Sequence, residues 1–357
     1  MEEALRLLQD VAVEGKGWIG EQIRRRNRRL LDFKKRTETA SRQLGGRHSY
    51  QPATQLASAT LREDVVRVPV HGGDLVVERV KAGTAPVLAV HGFTSQRRQW
   101  NWLRDARPDL SLIMPDLRGR GDSRDLGGPS SVAQHVEDLV AILDFLGEHE
   151  AYVCGASMGA VVGGELAAAY PDRVLGLILI DGGFRTAGGT RLTPEAAPSI
   201  VRERKHNRDR MWVSSYEYAR FFAERTSPLL DPSDLLLIDC LDHDLDDQFI
   251  RRLNCDRLSE DTTSVLQADT ASGRSDQPTW QRVDVPTWLL TAEWSTGPDS
   301  PPTYPPDTIR EIRQRLAAPL NVRQIPAADH ATVIMSQPGA QAAARMIAEA
   351  MSEREGT

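Results

Sequence analysis

The chain has 357 residues, of which 40% are hydrophobic and 26% are charged. This is long enough for one large α/β domain with an insertion, or for two ordinary domains, and it excludes a peptide, a repeat array or a disordered tail. No segment approaches the roughly 18 consecutive apolar residues of a membrane helix. The acidic start Met1-Glu2-Glu3 lacks the basic and apolar pattern of a secretory signal. We therefore expect a cytoplasmic protein without a membrane span.

The formal net charge of −6 is unevenly distributed along the chain. Residues 1–60 contain twelve basic and seven acidic residues, so the rest of the chain is strongly acidic. An acidic body argues against nucleic acid as the main partner. The basic, partly helical segment is expected to pack on its own domain or to join two copies as a homodimer, with contact to anionic lipid as the alternative. Only five of the 44 basic residues are lysine, which is typical of a GC-rich bacterial genome.

From Asp64 onward, short apolar segments alternate with helical patterns, which predicts a mainly parallel sheet with helices on both faces. Residues 131–146 form a clear amphipathic helix, with Ser131 and Gln134 as a capping box and Gly147 as its end. Residues 184–283 contain helical segments but no convincing strand, which favours a helical insertion. The predicted strands are Val65–Val68, Leu75–Val80, Val87–Val90, Leu112–Met114, Tyr152–Cys154, Val174–Ile180, Thr287–Thr291 and Val322–Ile325.

The pentapeptide Gly155-Ala156-Ser157-Met158-Gly159 follows one predicted strand and opens a helical segment. This is the context of a G-x-S-x-G nucleophile elbow, where small flanking residues permit a strained turn that presents the serine. The helix that follows begins with further small residues, which allow it to pack closely on the sheet. We predict Ser157 as a nucleophile.

Two further segments supply the groups that a nucleophilic serine requires. A tetrahedral intermediate needs two preorganised N–H donors, one from the residue after the nucleophile and one from a loop such as His91-Gly92-Phe93. The predicted donors are the backbone amides of Phe93 and Met158, while the His91 side chain braces the loop. A serine hydroxyl also needs a base near neutral pKa, and His330, after the last predicted strand, is the predicted base.

Four motifs, in this order, resemble those of the α/β-hydrolase superfamily: His91-Gly92-Phe93, the DLRGRGDS segment at 116–123, the serine elbow, and Asp329-His330. The resemblance covers about residues 64–352. It implies an α/β-hydrolase fold with an eight-stranded, mainly parallel sheet, a helical cap after strand six, and a pocket between cap and sheet. We therefore expect an N-terminal extension over 1–60, a hydrolase core over 61–183 and 284–357, and a cap over 184–283.

The acid of the expected triad departs from the pattern of this superfamily. Relatives commonly carry Asp soon after strand seven, where this chain has Ser295. Two substitutes remain open, namely Asp181 at the end of strand six and Glu293 just after strand seven. We favour Asp181, because certain relatives place their acid after strand six at a similar offset from the nucleophile, and keep Asp299 or no acid as further alternatives.

Metal ions and nucleotide cofactors are not expected. Residues 231–247 hold seven aspartates and a histidine, but their spacing matches no ordered ligand loop, so a solvated helical face is predicted. No Walker loop, dinucleotide fingerprint or zinc motif occurs in the sequence. The three cysteines, Cys154, Cys240 and Cys255, have no metal-like spacing and are predicted to be buried thiols.

The predicted function is a cofactor-independent serine hydrolase that cleaves an ester, thioester or lactone of a small organic molecule. A C–C bond hydrolase or a cofactor-free haloperoxidase would use the same residues, and a non-catalytic ligand-binding receptor on this fold is the alternative from a different class. Aromatic residues of the predicted cap either line an apolar pocket or form the core of the cap itself: Trp212, Tyr216, Tyr218, Phe221 and Phe222. Of these, Trp212, Tyr216 and Phe221 are the substrate-binding candidates.

Overall fold

An eight-stranded sheet organises the chain in a computed structural model that describes residues 62–184, 197–208, 210–267 and 279–355. The strand order is β1-β2-β4-β3-β5-β6-β7-β8, antiparallel where β2 pairs with β1 and β4 and parallel from β4 to β8. The predicted α/β fold class is thereby confirmed, with a strand at each of the eight predicted positions. The strands are β1 (Arg62–Val70), β2 (Gly73–Lys81), β3 (Val87–Val90), β4 (Leu112–Pro115), β5 (Ala151–Ala156), β6 (Val174–Ile180), β7 (Thr287–Ala292) and β8 (Leu320–Ile325).

Helices cover the sheet, and four of the described helices lie between β6 and β7 in the chain. The predicted helix 131–146 is present as α2: Ser131 Oγ accepts from the backbone N–H of Gln134 at 3.0 Å, and Gly147 ends the helix with a φ of 71°. None of the described helices is long and apolar enough to cross a membrane. The helices are α1 (Asn101–Ala106), α2 (Val132–Leu146), α3 (Met158–Ala169), α4 (Ala197–Arg208), α5 (Ser215–Thr226), α6 (Leu235–His243), α7 (Cys255–Gln267), α8 (Pro306–Arg315) and α9 (Gln337–Glu355).

Both faces of the sheet are buried, which explains why its central strands are almost continuously apolar. On one face, Leu139 of α2 and Leu166 of α3 belong to a core with β3, β5 and β6. On the other face, Ile347 of α9 packs in a second core with Trp288 and Leu290 of β7. Because β3 to β8 are parallel, their carboxyl ends meet along one edge of the sheet, where ligands bind in open α/β folds.

The segment between β6 and β7, described at 197–208 and 210–267, is called the insertion below. It has a hydrophobic core of its own, built from α5 and α6 and completed by Trp102 and Ala331 of the surrounding structure. Helices are the only regular elements among its described residues, apart from isolated β-bridges. The domain boundaries at 184 and 283 stay a prediction, and the predicted extension 1–60 lies outside the described residues.

Candidate active site

Ser157 lies in a sharp turn between the end of β5 and the start of α3. Its φ of 55° and ψ of −115° are unfavourable for a residue with a Cβ, so the turn stores strain that its surroundings must hold. Its backbone N–H donates to Ile180 O at 3.0 Å, which ties the turn to the end of β6. The turn places the hydroxyl at the carboxyl edge of the sheet.

Two glycines of the elbow are required by close backbone packing. A Cβ on Gly155 would lie 2.3 Å from Gly159 O, and a Cβ on Gly159 would lie 2.1 Å from Val90 O. Real Cβ atoms do not approach a carbonyl oxygen this closely. Gly155 is therefore required by its contact with the first turn of α3, and Gly159 by its contact with the end of β3.

The structure brings together three side chains that are distant in sequence. His330 Nε2 lies 3.1 Å from Ser157 Oγ, and His330 Nδ1 lies 2.6 Å from Asp181 Oδ2. His330 follows β8 in a turn held by Asp329, whose Oδ1 accepts from the backbone N–H groups of Ala331 and Thr332. Both ring nitrogens of His330 therefore have a partner, one a hydroxyl and the other a carboxylate.

Asp181 is fully buried at its side chain, directly after β6. Its Oδ1 accepts from the Ala292 N–H at 3.3 Å, and its Oδ2 accepts from Thr303 Oγ1 at 2.9 Å as well as facing His330. These three partners are a backbone N–H, a hydroxyl and a ring nitrogen, each able to donate to a carboxylate oxygen. Thr303 was missed at the sequence level, because it is 122 residues from Asp181 and lies in no motif.

The alternative acids lie elsewhere. Glu293 Oε2 accepts from the Ala327 N–H at 2.7 Å, so its carboxylate supports the turn after β8 and does not meet His330. Asp299 is exposed, in a loop with a φ of 68°. The structure therefore brings Asp181, and not Glu293, to His330, while the role of either residue as the acid stays a prediction.

The loop with His91-Gly92-Phe93 approaches the serine closely, since a Cβ on Gly92 would lie 3.5 Å from Ser157 Cβ. His91 is buried, and burial lowers its pKa to about 4, so its ring is neutral near pH 7. The Leu117 N–H donates to His91 Nε2 at 3.0 Å, which leaves the proton on Nδ1, and Nδ1 donates to Gly92 O at 2.8 Å. His91 therefore braces the loop.

The peptide group fixed by His91 also carries the Phe93 N–H, because Gly92 O and Phe93 N belong to the same planar unit. Neither this N–H nor that of Met158 donates to another residue in the described part of the chain. Met158 is the first residue of α3, where backbone N–H groups have no partner within the helix. Within the described residues both predicted donors therefore lack an acceptor, with Met158 next to Ser157 in the chain and Phe93 in the loop that approaches it.

Arg120 supports the same loop from the DLRGRGDS segment. Its guanidinium donates two hydrogen bonds to Phe93 O, at 3.1 and 3.0 Å, and forms a buried ion pair with Asp261 of α7. Burial alone would raise the pKa of Asp261, but the charges of Arg120 and His135 hold this pKa below its ordinary value. In the insertion, Arg251 Nη2 likewise donates to Thr94 O at 3.1 Å. The loop is therefore held from both the core and the insertion.

A cavity of about 200 Å³ opens between this loop, Ser157 and the insertion. The insertion contributes apolar and polar side chains from α5 and α6, and the segment after His330 closes the far side. Cys240 is buried in this wall, and burial raises the pKa of its thiol, so the thiol is no rival nucleophile to Ser157. The lining residues are Gly92, Phe93, Thr94, Ser95, Gln96, Gln99, Ser157, Phe222, Thr226, Cys240, Leu241, Asp244, His330, Ala331, Ile334 and Met335.

The three predicted substrate-binding aromatics do not line this cavity. Trp212 is buried in the core of the insertion, with ring centroids 4.8 Å from those of Tyr218 and Phe221. Tyr216 is 37% exposed at the surface. Phe222 is the aromatic residue of α5 that reaches the cavity. The structure therefore does not bring Trp212, Tyr216 and Phe221 to the cavity beside Ser157, and Trp212 and Phe221 pack within the insertion instead.

One group of possible metal ligands occurs among the described residues, namely Asp116, Asp122 and His243. Arginine side chains already occupy its carboxylates: Arg97 donates to Asp116 and Asp122, and Arg252 donates to Asp122. With its charge matched by guanidinium groups, this group lacks the unpaired carboxylate oxygens that a divalent cation needs. We describe it as a salt-bridge network.

Known proteins share the fold described above and parts of the sequence. The crystal structure of E-2-(acetamidomethylene)succinate hydrolase superposes with a TM-score of 0.65 over 82% of this chain and 100% of that chain, at 20% identity, which shows likeness of fold alone. Lipase LipV of Mycobacterium tuberculosis is 39% identical over 109 residues, 30% of this chain and 41% of that protein, so this match spans less than half of the lipase.

A Bacillus subtilis protein named "Putative 2-succinyl-6-hydroxy-2,4-cyclohexadiene-1-carboxylate synthase" is 29% identical over 220 residues, which are 58% of this chain and 73% of that protein. A family model described as the alpha/beta hydrolase family matches residues 87–345. That match covers most of the chain, including the serine turn, the neighbouring loop and the histidine. The chain is a member of the alpha/beta hydrolase family.

Proposed function

We propose that the protein is a cofactor-independent serine hydrolase that cleaves an ester, thioester or lactone of a small organic molecule. The observation that carries the proposal is the chain of contacts from Ser157 Oγ through His330 to Asp181, at 3.1 and 2.6 Å, beside a cavity. A hydroxyl, an imidazole and a buried carboxylate in this order form the relay that activates serine for acyl transfer.

In the proposed reaction, Ser157 Oγ attacks the carbonyl carbon while His330 Nε2 takes its proton. His330 then gives this proton to the leaving alcohol or thiol, which leaves an acyl group on the serine. Water attacks the acyl group with His330 again as the base, and the acid is released. Asp181 keeps the proton of the neutral ring on Nδ1 and stabilises the imidazolium that forms.

The negative charge of the tetrahedral intermediate would be bound by the N–H groups of Phe93 and Met158. These donors are preorganised, since His91 fixes the peptide of Phe93 and the helix fixes Met158. Preorganised donors stabilise the developing oxyanion without reorganisation during the reaction, and each contributes about 10²–10³ in rate in comparable sites.

In this proposal the insertion acts as a cap over the site. Phe222, Cys240 and Leu241 line the cavity from the insertion, while Ser157 and His330 line it from the core. The name of the mycobacterial relative, a lipase, supports ester hydrolysis as the reaction class.

The test is labelling by a fluorophosphonate probe, combined with hydrolysis of a p-nitrophenyl ester. We expect Ser157→Ala to fold, to lose all labelling, and to lose on the order of 10⁴ to 10⁶ of the turnover. Ser95→Ala is the matched control, because Ser95 lines the same cavity without a histidine partner among the described residues, and it should still be labelled. Labelling that survives in folded Ser157→Ala would refute the proposal.

A further inference from the structure

Gln99 lines the cavity, and of its two side-chain amide atoms only the oxygen has a hydrogen-bond partner among the described residues. It lies in the 3₁₀ turn Arg97–Trp100 and is 4% exposed. Its Oε1 accepts from the Gly92 N–H at 3.0 Å. Its Nε2 is buried and has no hydrogen-bond partner in the described part of the chain.

The orientation of this amide is fixed by chemistry. A backbone N–H can only donate, so the oxygen of Gln99 must face Gly92, and the NH₂ group must face away. Gln96, in the same wall, shows the usual arrangement: its Nε2 donates to Cys240 O at 2.7 Å, and its Oε1 accepts from the Arg98 N–H at 2.7 Å. A buried donor without an acceptor is destabilising, so the Gln99 NH₂ group is an unsatisfied donor on a residue that lines the cavity.

The described lining of the cavity carries little net charge. Among the described residues that line it there is no lysine or arginine, and its carboxylate, Asp244, is paired with Arg251 at 2.8 Å and with Tyr218 Oη at 2.6 Å. A carboxylate or phosphate on the bound acyl group would therefore be desolvated without a cationic partner. The volume of about 200 Å³ lies below the roughly 300 to 1,000 Å³ of pockets for drug-sized ligands, which favours a short group.

We propose that the cavity accepts a short, uncharged acyl group with an oxygen acceptor near the ester carbonyl, and that Gln99 Nε2 donates to this oxygen. This inference rests on the proposed function, because it concerns the acyl group that Ser157 receives. An ether, ketone or hydroxyl oxygen supplies such an acceptor. Gln99 is then a specificity-determining residue, distinct from the donors to the oxyanion.

The test compares p-nitrophenyl methoxyacetate with p-nitrophenyl butyrate, which differ by an ether oxygen in place of one methylene group. The ratio of their kcat/KM values is divided by the ratio of their rates of hydroxide hydrolysis, which removes the difference in intrinsic reactivity. We expect a corrected preference for methoxyacetate of at least about tenfold in the wild-type protein, the effect of one hydrogen bond.

Gln99→Glu keeps an oxygen for the Gly92 N–H and removes the donor. Burial raises the pKa of a glutamate above its ordinary value of about 4.3, so the ratio is measured from about pH 7 to pH 9, and the preference for methoxyacetate should disappear as the glutamate ionises. Gln99→Met, which removes both amide atoms, should abolish the same preference and is decisive if the glutamate variant does not fold. Gln96→Glu adds an equal charge to the same wall and should change the rates of both esters by a similar factor.

A corrected ratio of methoxyacetate to butyrate kcat/KM near one in the wild-type protein would overturn the inference. So would folded Gln99→Glu that loses activity equally on both esters and thus keeps the wild-type ratio. In these cases fluorophosphonate labelling of Ser157 persists and the proposed function stands. If the wild-type protein is neither labelled nor active on either ester, the proposed function itself fails.

Discussion

Replacement of Asp181 by asparagine tests how the buried carboxylate acts on His330. Asp181 has no exposed side-chain surface, so water cannot substitute for the lost charge. The asparagine oxygen will face the Ala292 N–H, because the NH₂ group cannot accept from it. The asparagine NH₂ group then faces His330 Nδ1, where the carboxylate stood at 2.6 Å.

An NH₂ group at this position donates to Nδ1 and so favours the ring with its proton on Nε2. That tautomer cannot accept the proton of Ser157. Loss of the same interaction in the serine-protease template costs about 10⁴ in kcat, which corresponds to about 5.5 kcal/mol of transition-state stabilisation. Because the interaction strengthens as His330 becomes charged, kcat should fall by at least roughly 10²-fold with little change in KM.

The assay is steady-state hydrolysis of a p-nitrophenyl ester, with circular dichroism to verify folding. Glu293→Gln is the matched control, because a glutamine oxygen can still accept from the Ala327 N–H, and its kcat should stay within about tenfold of the wild-type value. The reverse ranking in folded proteins would transfer the orienting role to Glu293. Two small effects would mean that Ser157 and His330 act without an orienting acid.

Two further predictions concern stability, measured by urea unfolding. Gly159→Ala should lower the free energy of unfolding by more than about 3 kcal/mol, since its Cβ would lie 2.1 Å from Val90 O. Gly164→Ala in the same helix is the control. Its Cβ meets nothing within 4 Å, so it should raise the free energy of unfolding by up to about 1 kcal/mol. Equal effects would contradict the close packing of the elbow. The free energy of unfolding should also fall as the pH is lowered from 6.5 towards 4, by up to about 3 kcal/mol, because the unfolded chain binds a proton that buried His91 excludes. His91→Gln should lose this part of the pH dependence, and an unchanged profile would contradict the neutral ring.

The sequence predicts the sheet well because buried parallel strands are apolar segments bounded by turns. Strand boundaries were less accurate: β1 was predicted over Val65–Val68 and extends over Arg62–Val70. Exposed ends of an antiparallel pair carry charged residues that the apolar pattern does not capture. Hydrogen bonding between neighbouring strands sets these ends, and it is not encoded locally.

At the candidate site, local motifs singled out Ser157 and His330, and the structure places their side chains 3.1 Å apart. The sequence favoured Asp181 over Glu293 only by analogy with relatives, because β6 and β7 are neighbours and both end at the same edge of the sheet. The direction of each side chain determines which carboxylate reaches His330, and that direction depends on distant partners such as Thr303. The donor at Gln99 was missed for the same reason.

The phase of a helix explains why Phe222, and not the predicted Phe221, lines the cavity beside Ser157. Phe221 and Phe222 are adjacent in α5, and successive residues of a helix point about 100° apart. Phe221 packs against Trp212, while Phe222 reaches the cavity. Composition shows that this helix is aromatic, but the angle at which it docks on the core determines which ring meets a substrate.

The hydrogen bonds from Arg120 and Arg251 to the loop carbonyls have a consequence for protein engineering. Asp261 of the insertion neutralises Arg120, whose guanidinium holds Phe93 O, and Arg251 of the insertion holds Thr94 O directly. Deleting the insertion would leave Arg120 without its carboxylate, and breaking a buried ion pair in this way costs about 3–5 kcal/mol. The insertion is therefore not an exchangeable module. A chimaera that grafts a foreign segment between β6 and β7 must supply an acid at the position of Asp261 and a donor at the position of Arg251.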